Sequence, residues 1–338
     1  MQLGLNRVLF YSWTLFLSSI PQQAAPFMWL GPSTSVLLSK TTTRRTMTTS
    51  VHQVAQRLVE NNNKNDSLVC IAIAGGGGSA ISALASIPGA SSLLLEGTVA
   101  YDRKSLENYI QQPLENYVSA QVASLLSQTA LARSLKYRNS LQDQLKCIGI
   151  GASSALVQSK PGRISRAHIV ATRADGRQYS CFLKMAPHNR TRVEEDLLIG
   201  RLVLESIQQV TSDEHSNVNL DFEPEDEFQQ EHTPSVPPQD AVRVAAERVL
   251  LGETSAVVLL PKPDQTFVAV PHVVLPNKSL IFPGSFNPPH VGHVQLANAA
   301  KKAYEHQEED LPVFFELSLF NADKPALNAA AVSERAHK

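Results

Sequence analysis

SLIFPGSFNPPHVGHVQ, residues 279–295, holds three kinds of sequence in quick succession. Residues 279–282 are a short apolar run, and residues 284–289 supply turn formers in a row. From 291 to 300 the apolar spacing is helical, with Val291, Val294 and Ala297 on one face and Leu296 and Ala300 beside it. The predicted unit is strand, tight loop, helix. His290 and His293 sit at the loop-to-helix junction, three apart and therefore on the same side of the first turn. Gly292 between them has no Cβ, so a ligand can come close to the backbone there. Free N–H groups and the positive end of the helix dipole make such a junction a seat for phosphate. A bare His-x-x-His also suits a metal, but zinc needs two further ligands, and Cys70, Cys147 and Cys181 form no spaced pair.

The chain around this stretch has 338 residues, 43% hydrophobic content and a formal net charge of -1. That is long enough for two ordinary domains, with no charge bias toward nucleic acid or a membrane surface. Three widely separated cysteines argue against a disulfide framework. The N-terminus is different in character. No acidic residue precedes Glu60, while Arg7, Lys40, Arg44 and Arg45 are scattered among many Ser and Thr. Residues 8–20 form an apolar run of thirteen, short for a bilayer span but suited to a signal-peptide core, with Ala24 and Ala25 just after it. Residues 27–50 have the composition of a transit peptide. The expectation is a disordered targeting presequence over 1–50, resembling the two-part leaders that direct proteins into a plastid bounded by extra membranes. No stable membrane span is expected in the mature form. The alternative is a cytoplasmic protein that starts at Met47.

Between these ends the pattern alternates. Helices are predicted over 52–61, 79–86, 119–136, 194–210 and 241–251, and strands over 69–74, 93–101 and 146–150. Residues 168–172 and 179–185 flank Asp175 and Gly176 as a hairpin. Residues 211–239 lose periodicity, carry eight acidic side chains without one Lys or Arg, and read as an acidic linker or loop. A second hairpin, 256–260 with 266–270, is expected to complete the middle domain. The alternation is that of an α/β sandwich.

The segment GSFNPPHVGH resembles the HxGH signature of the nucleotidylyltransferase superfamily. The match includes Gly284, Ser285, Phe286, Asn287, the proline and both histidines. The resemblance implies a Rossmann-like domain, of which 276–338 is the N-terminal part, moving a nucleotidyl group from ATP or CTP to a phosphate-bearing acceptor with Mg²⁺ accompanying the triphosphate. By the same resemblance His290 and His293 contact the nucleotide phosphates. Gly284, Ser285 and Phe286 form the floor, and Asn287 and Gly292 complete the nucleotide-binding loop. Residues 313–319 read as a second strand, and the NADKP turn after it resembles a plant and fungal branch of nicotinamide-nucleotide adenylyltransferases in which a CinA-like domain comes first. Lys324 of that turn is then a phosphate contact. The family's later ISxTxxR-like motif has no counterpart before Lys338, so the expectation is a C-terminally truncated chain.

Residues 69–207 resemble the C-terminal domain of CinA, which deamidates nicotinamide mononucleotide in bacteria. The resemblance rests on the glycine loop ending at Gly77 and Gly78, on IPGASS from Ile87, on GTVAY from Gly97 and on IGIGASS from Ile148. The expected domain extends over 51–275, with the acidic loop inside it. The family's nucleophilic serine falls on Ala74 and its lysine on Leu106, with Lys104 two places away. Alanine has no oxygen to attack a carboxamide and leucine relays no proton, so deamidation is expected to be lost. Ser79 is the candidate substitute, five residues away inside the helix start, and the glycine loop remains a phosphate cradle by its composition.

Three readings of function follow. The first is an adenylyltransferase acting on ATP and a mononucleotide such as nicotinamide mononucleotide, in NAD biosynthesis, its active site incomplete in this chain and its activity expected to be low or absent for that reason. Another is a non-catalytic nucleotide-binding module that forms a homo-oligomer through the CinA-like domain. A third is a surviving nicotinamide mononucleotide amidohydrolase. None involves nucleic acid.

Overall fold

A computed structural model describes residues 7–11, 50–138, 140–157, 164–187, 190–212, 218, 220, 222–233, 240–252, 256–261, 267–270, 275, 279–287, 290–304, 311–319 and 326–336. The first strand, β1 (Arg7–Tyr11), belongs to a sheet otherwise built from the far end of the chain. The helix α1 (Val51–Asn65) starts at a capping box of Ser50 and Gln53. The Asn run does not end it at residue 61. Buried Asn62 gives its amide N–H groups to the carbonyls of Ser67 and Ser92 and accepts from Ser67 N–H, which anchors the helix to the strand that follows.

A six-stranded mixed sheet forms the middle of the chain, in the order β3-β2-β4-β5-β6-β7. β2 (Leu68–Ala74) is central and buried throughout, as a parallel strand covered on both faces must be. β3 (Leu94–Val99) and β4 (Cys147–Ala155) lie parallel to it on either side. β5 (Arg166–Arg173) and β6 (Gln178–Lys184) form the hairpin predicted around Asp175 and Gly176. β7 (Glu227–Thr233) then pairs antiparallel with β6. This strand lies inside the segment read as a periodicity-free linker, and that expectation is corrected here.

Helices cover both faces of the sheet, so the α/β sandwich holds. On one side α1, α2 (Gly78–Ala85) and α6 (Arg192–Thr211) pack Val54, Leu84, Ile199 and Val203 against Ile71, Ile73, Ile150 and Ile169. On the other side α3 (Arg103–Ile110) and α4 (Ala120–Lys136) meet Cys70, Ala72 and Ala74. α4 comes so close that a Cβ on Gly149 would lie 2.1 Å from the Ser127 carbonyl oxygen, and one on Gly151 2.1 Å from that of Ala123. The glycines of IGIGASS therefore serve packing. A short helix, α5 (Leu141–Leu145), leads into β4.

The second sheet has the order β10-β11-β1-β8-β9. After α7 (Ala241–Leu250) come β8 (Ala256–Pro261) and β9 (Phe267–Val270), the second predicted hairpin. It joins this sheet and does not complete the middle one. β10 (Leu280–Pro283), α8 (Val291–Tyr304), β11 (Val313–Ser318) and α9 (Ala329–Ala336) follow, with β10 and β11 parallel. β1 sits between β11 and β8, so the expectation of disorder fails for residues 7–11. Val242, Val249, Leu259, Leu317 and Val332 form a core between this sheet and helices α7 and α9. Phe314, Val258 and Leu260 pack instead with Leu68, Leu131 and Leu135 of the six-stranded unit. Among the described residues, no helix is long and apolar enough to cross a membrane.

Candidate functional site

The predicted strand, loop and helix of residues 279–295 are present, and their junction lies at the carboxyl end of β10. Gly284 N–H donates to the Glu316 carbonyl at 3.0 Å, extending the β10–β11 ladder by one step before the chain turns. Phe286 makes the turn in the left-handed region, at φ 42°, where a bulky side chain is rarely found. Its ring is held edge-on by His293 at 5.1 Å and by Phe315 at 5.4 Å between centroids. A Cβ on Gly284 would stand 2.7 Å from that ring, which accounts for the glycine.

His290 and His293 are brought together, with ring centroids 3.8 Å apart and an interplanar angle of 29°. The His290 backbone N–H donates to His293 Nδ1 at 3.1 Å. That nitrogen is therefore an acceptor, and the neutral ring carries its proton on Nε2, as a donor available to a ligand. His293 N–H in turn donates to the His290 carbonyl at 2.9 Å, closing the first turn. Gly292 also has a use within the protein itself. A Cβ there would lie 3.0 Å from His290 Nδ1, so its bareness admits the His290 ring to the start of the helix. Ser285, Asn287 and His290 are exposed, whereas His293 is half-buried. Lys324 lies outside the described residues. The helical face also differs: Ala297 and Lys301 are buried, while Val291 and Leu296 are 69% and 60% exposed.

One contact escaped the sequence reading. Arg335, on α9, donates from Nη1 to the Ser285 carbonyl at 3.0 Å across fifty residues of chain. α9 is capped by Asn328, whose Oδ1 accepts from Ala331 N–H at 2.8 Å. An Asn immediately ahead of an alanine run was the available signal for that helix.

The glycine loop of the middle domain is not an open cradle. Gly75 and Gly77 take φ values of 101° and 104°, which only glycine adopts without strain. The N–H groups they turn inward are already used. Gly77 and Gly78 N–H donate to Asp196 Oδ1 at 2.7 and 3.2 Å, and Ser79 N–H donates to Asp196 Oδ2 at 3.2 Å. Gly76 N–H goes to Ser154 Oγ at 2.6 Å. The carboxylate of α6 thus sits where a phosphate was expected. Ser79 donates its own hydroxyl to the Asp196 carbonyl at 3.0 Å. Ala74 and Leu106 do come together, but within one apolar cluster with Cys70, Ala72, Ala100 and Ile110, while Lys104 is exposed on the first turn of α3. Burial pushes the Cys70 thiol up to about 12, with Glu96 adding to the effect, so it is no nucleophile at neutral pH.

These features define an α/β protein whose C-terminal strand, turn and His-x-Gly-His helix start form one structural unit. The Cytidylyltransferase-like family model matches residues 281–336, from β10 to the last residue of α9. The match includes both histidines and Arg335, and it supports a nucleotidyltransferase kind of function for the C-terminal region. Among solved structures, the chain is similar to the competence/damage inducible protein CihA from Agrobacterium tumefaciens, with 21% identity and a TM-score of 0.39 over 48% of this chain and 96% of that one. A CinA superfamily protein from Escherichia coli gives 14% identity and a TM-score of 0.38 over 48% and 90%. A competence or damage-inducible protein from Enterobacter asburiae gives 12% and 0.37 over 48% and 96%. No curated protein matches the chain.

Proposed function

We propose that the junction of β10 and α8 holds the phosphates of ATP and transfers an adenylyl group to a phosphate-bearing mononucleotide, nicotinamide mononucleotide being the acceptor we favour. In that reaction an acceptor phosphate oxygen attacks the α-phosphorus, and pyrophosphate leaves with its electron pair. Both partners are anionic, so the barrier lies in repulsion and alignment more than in activating a nucleophile. The reading rests chiefly on the hydrogen bond from His290 N–H to His293 Nδ1, which fixes the His293 proton on Nε2 beside the start of α8. A donor set before substrate arrives needs no reorganisation when negative charge spreads over the transferring phosphoryl oxygens. His290, stacked on it and exposed, supplies the second imidazole, and the Gly284–Phe286 turn lies under the nucleotide. Mg²⁺ enters with the triphosphate as part of the substrate and neutralises the pyrophosphate.

Pyrophosphate release from Mg·ATP tests the proposal, with nicotinamide mononucleotide, a phosphorylated sugar alcohol or no acceptor in parallel. Release that requires nicotinamide mononucleotide is expected. His293→Ala should lower kcat by roughly two to three orders of magnitude, the range for loss of one preorganised donor. Full turnover in that variant, or release independent of any acceptor, would overturn it.

A further inference from the structure

We propose that Arg335 is a positioning residue of the same site, holding the Gly284–Phe286 turn so that Phe286 keeps His293 in place. The inference rests on the nucleotide-binding reading for its purpose, though not for its geometry. Phe286 stands at φ 42°, a conformation that a bulky side chain does not keep unless its surroundings impose it. Beside the edge-on Phe315 ring, two contacts with α9 help to impose it here. The Arg335 guanidinium fixes the carbonyl immediately before it, at 3.0 Å from Ser285 O. The Phe286 ring also packs into the cluster that holds Val332, Leu327, Ala329 and Ala336, all on α9 or just before it. The same ring meets His293 edge-on at 5.1 Å. Arg335, Ser285, Phe286 and His293 thus form a continuous line from α9 to the imidazole. Without the guanidinium, Ser285, an exposed residue, exchanges this bond for water and the turn is free to leave the left-handed region.

The Arg335 bond to Ser285 runs to a neutral carbonyl, so donation matters more than charge. Arg335→Gln keeps an N–H donor without charge; Arg335→Lys keeps the charge on a shorter-reaching donor; Arg335→Ala removes both. The ligand-free protein provides a readout independent of turnover, because the Phe286 ring shifts the imidazole proton resonances of His293. In Arg335→Ala these resonances should move toward free-histidine values, and in Arg335→Gln they should stay near those of the parent protein. Where turnover is measured, Arg335→Ala should lower kcat about tenfold to a hundredfold with KM for ATP nearly unchanged, the size expected from misplacing a reacting group by about 1 Å. Arg335→Gln should recover most of that loss. Unshifted His293 resonances in Arg335→Ala would overturn the proposal, whether or not the protein turns ATP over. Rescue by Lys but not by Gln would overturn it too, since it would make Arg335 a charge that acts on the substrate. Absence of turnover in every form, with the resonances behaving as expected, would count against the adenylyltransferase reading and leave the positioning role supported.

Discussion

At His293 a backbone N–H sets which ring nitrogen keeps the proton, and at Asp196 a carboxylate takes the place of a ligand. Both are single-residue effects, and they differ in how far they could be read in advance. His290 and His293 are three apart, so their meeting follows from helix geometry. Asp196 lies 119 residues from Gly77, and nothing local to the glycine run foretells it. By composition the loop was a phosphate cradle; the fold instead brings the start of α6 over it. Three N–H groups at the start of α2 depend on that carboxylate, so Asp196→Ala should destabilise the protein by about 2 to 3 kcal/mol, the cost of stranding charge-assisted donors. Urea unfolding measures this. A change within about 0.5 kcal/mol, the level of an ordinary surface substitution, would show that water replaces the carboxylate at no cost.

Among the elements, β7 is the one whose sequence gave least warning. EFQQEHT carries its charges at Glu227 and Glu231 on the exposed positions of an edge strand, where they discourage pairing with another sheet. Those same acids made the segment read as solvated linker. Its entry is fixed by Asp226, whose fully buried carboxylate meets Arg190 through two bonds of 2.9 and 2.6 Å and accepts N–H from Ala186 and Glu223 at 2.8 Å each. Burial pushes the Asp226 carboxyl up, but Arg190 and the two N–H groups outweigh it and hold it below the ordinary aspartate range. A depressed carboxyl stabilises the fold at pH values above the unfolded pKa of about 4, and that stability is lost as pH falls through the folded-state value. The urea midpoint should therefore drop below about pH 4. Asp226→Asn should cost about 3 kcal/mol at neutral pH, because Arg190 stays buried without its counter-charge, and should flatten that acid limb. An unchanged acid limb in the variant would assign it to other carboxylates.

For the molecule as a whole, local periodicity carried most of the six-stranded unit, since β2, β4, α4 and α6 have unbroken apolar or helical patterns. Sheet membership was less legible. The hairpin β8–β9 and the strand β1 are apolar and short, and short apolar runs give no sign of which sheet will bury them. β1 also shares its residues with the run that reads as a leader core. At the two sites, Ala74 and Leu106 themselves carry neither a hydroxyl nor an amine and lie in one largely apolar cluster, so the full chain should release no ammonia from nicotinamide mononucleotide. Turnover that vanished on Ser79→Ala would contradict this and identify a displaced nucleophile. The chemistry proposed for the protein lies at the far end of the chain, where His290, His293 and the Phe286 turn converge. The most direct test follows the imidazole nitrogen resonances of His290 and His293 in the full chain during titration with Mg·ATP. Saturable shifts of both rings are predicted, with Nε2 of His293 keeping its proton throughout; resonances that stay fixed at millimolar Mg·ATP would contradict the assignment of this junction as the phosphate seat.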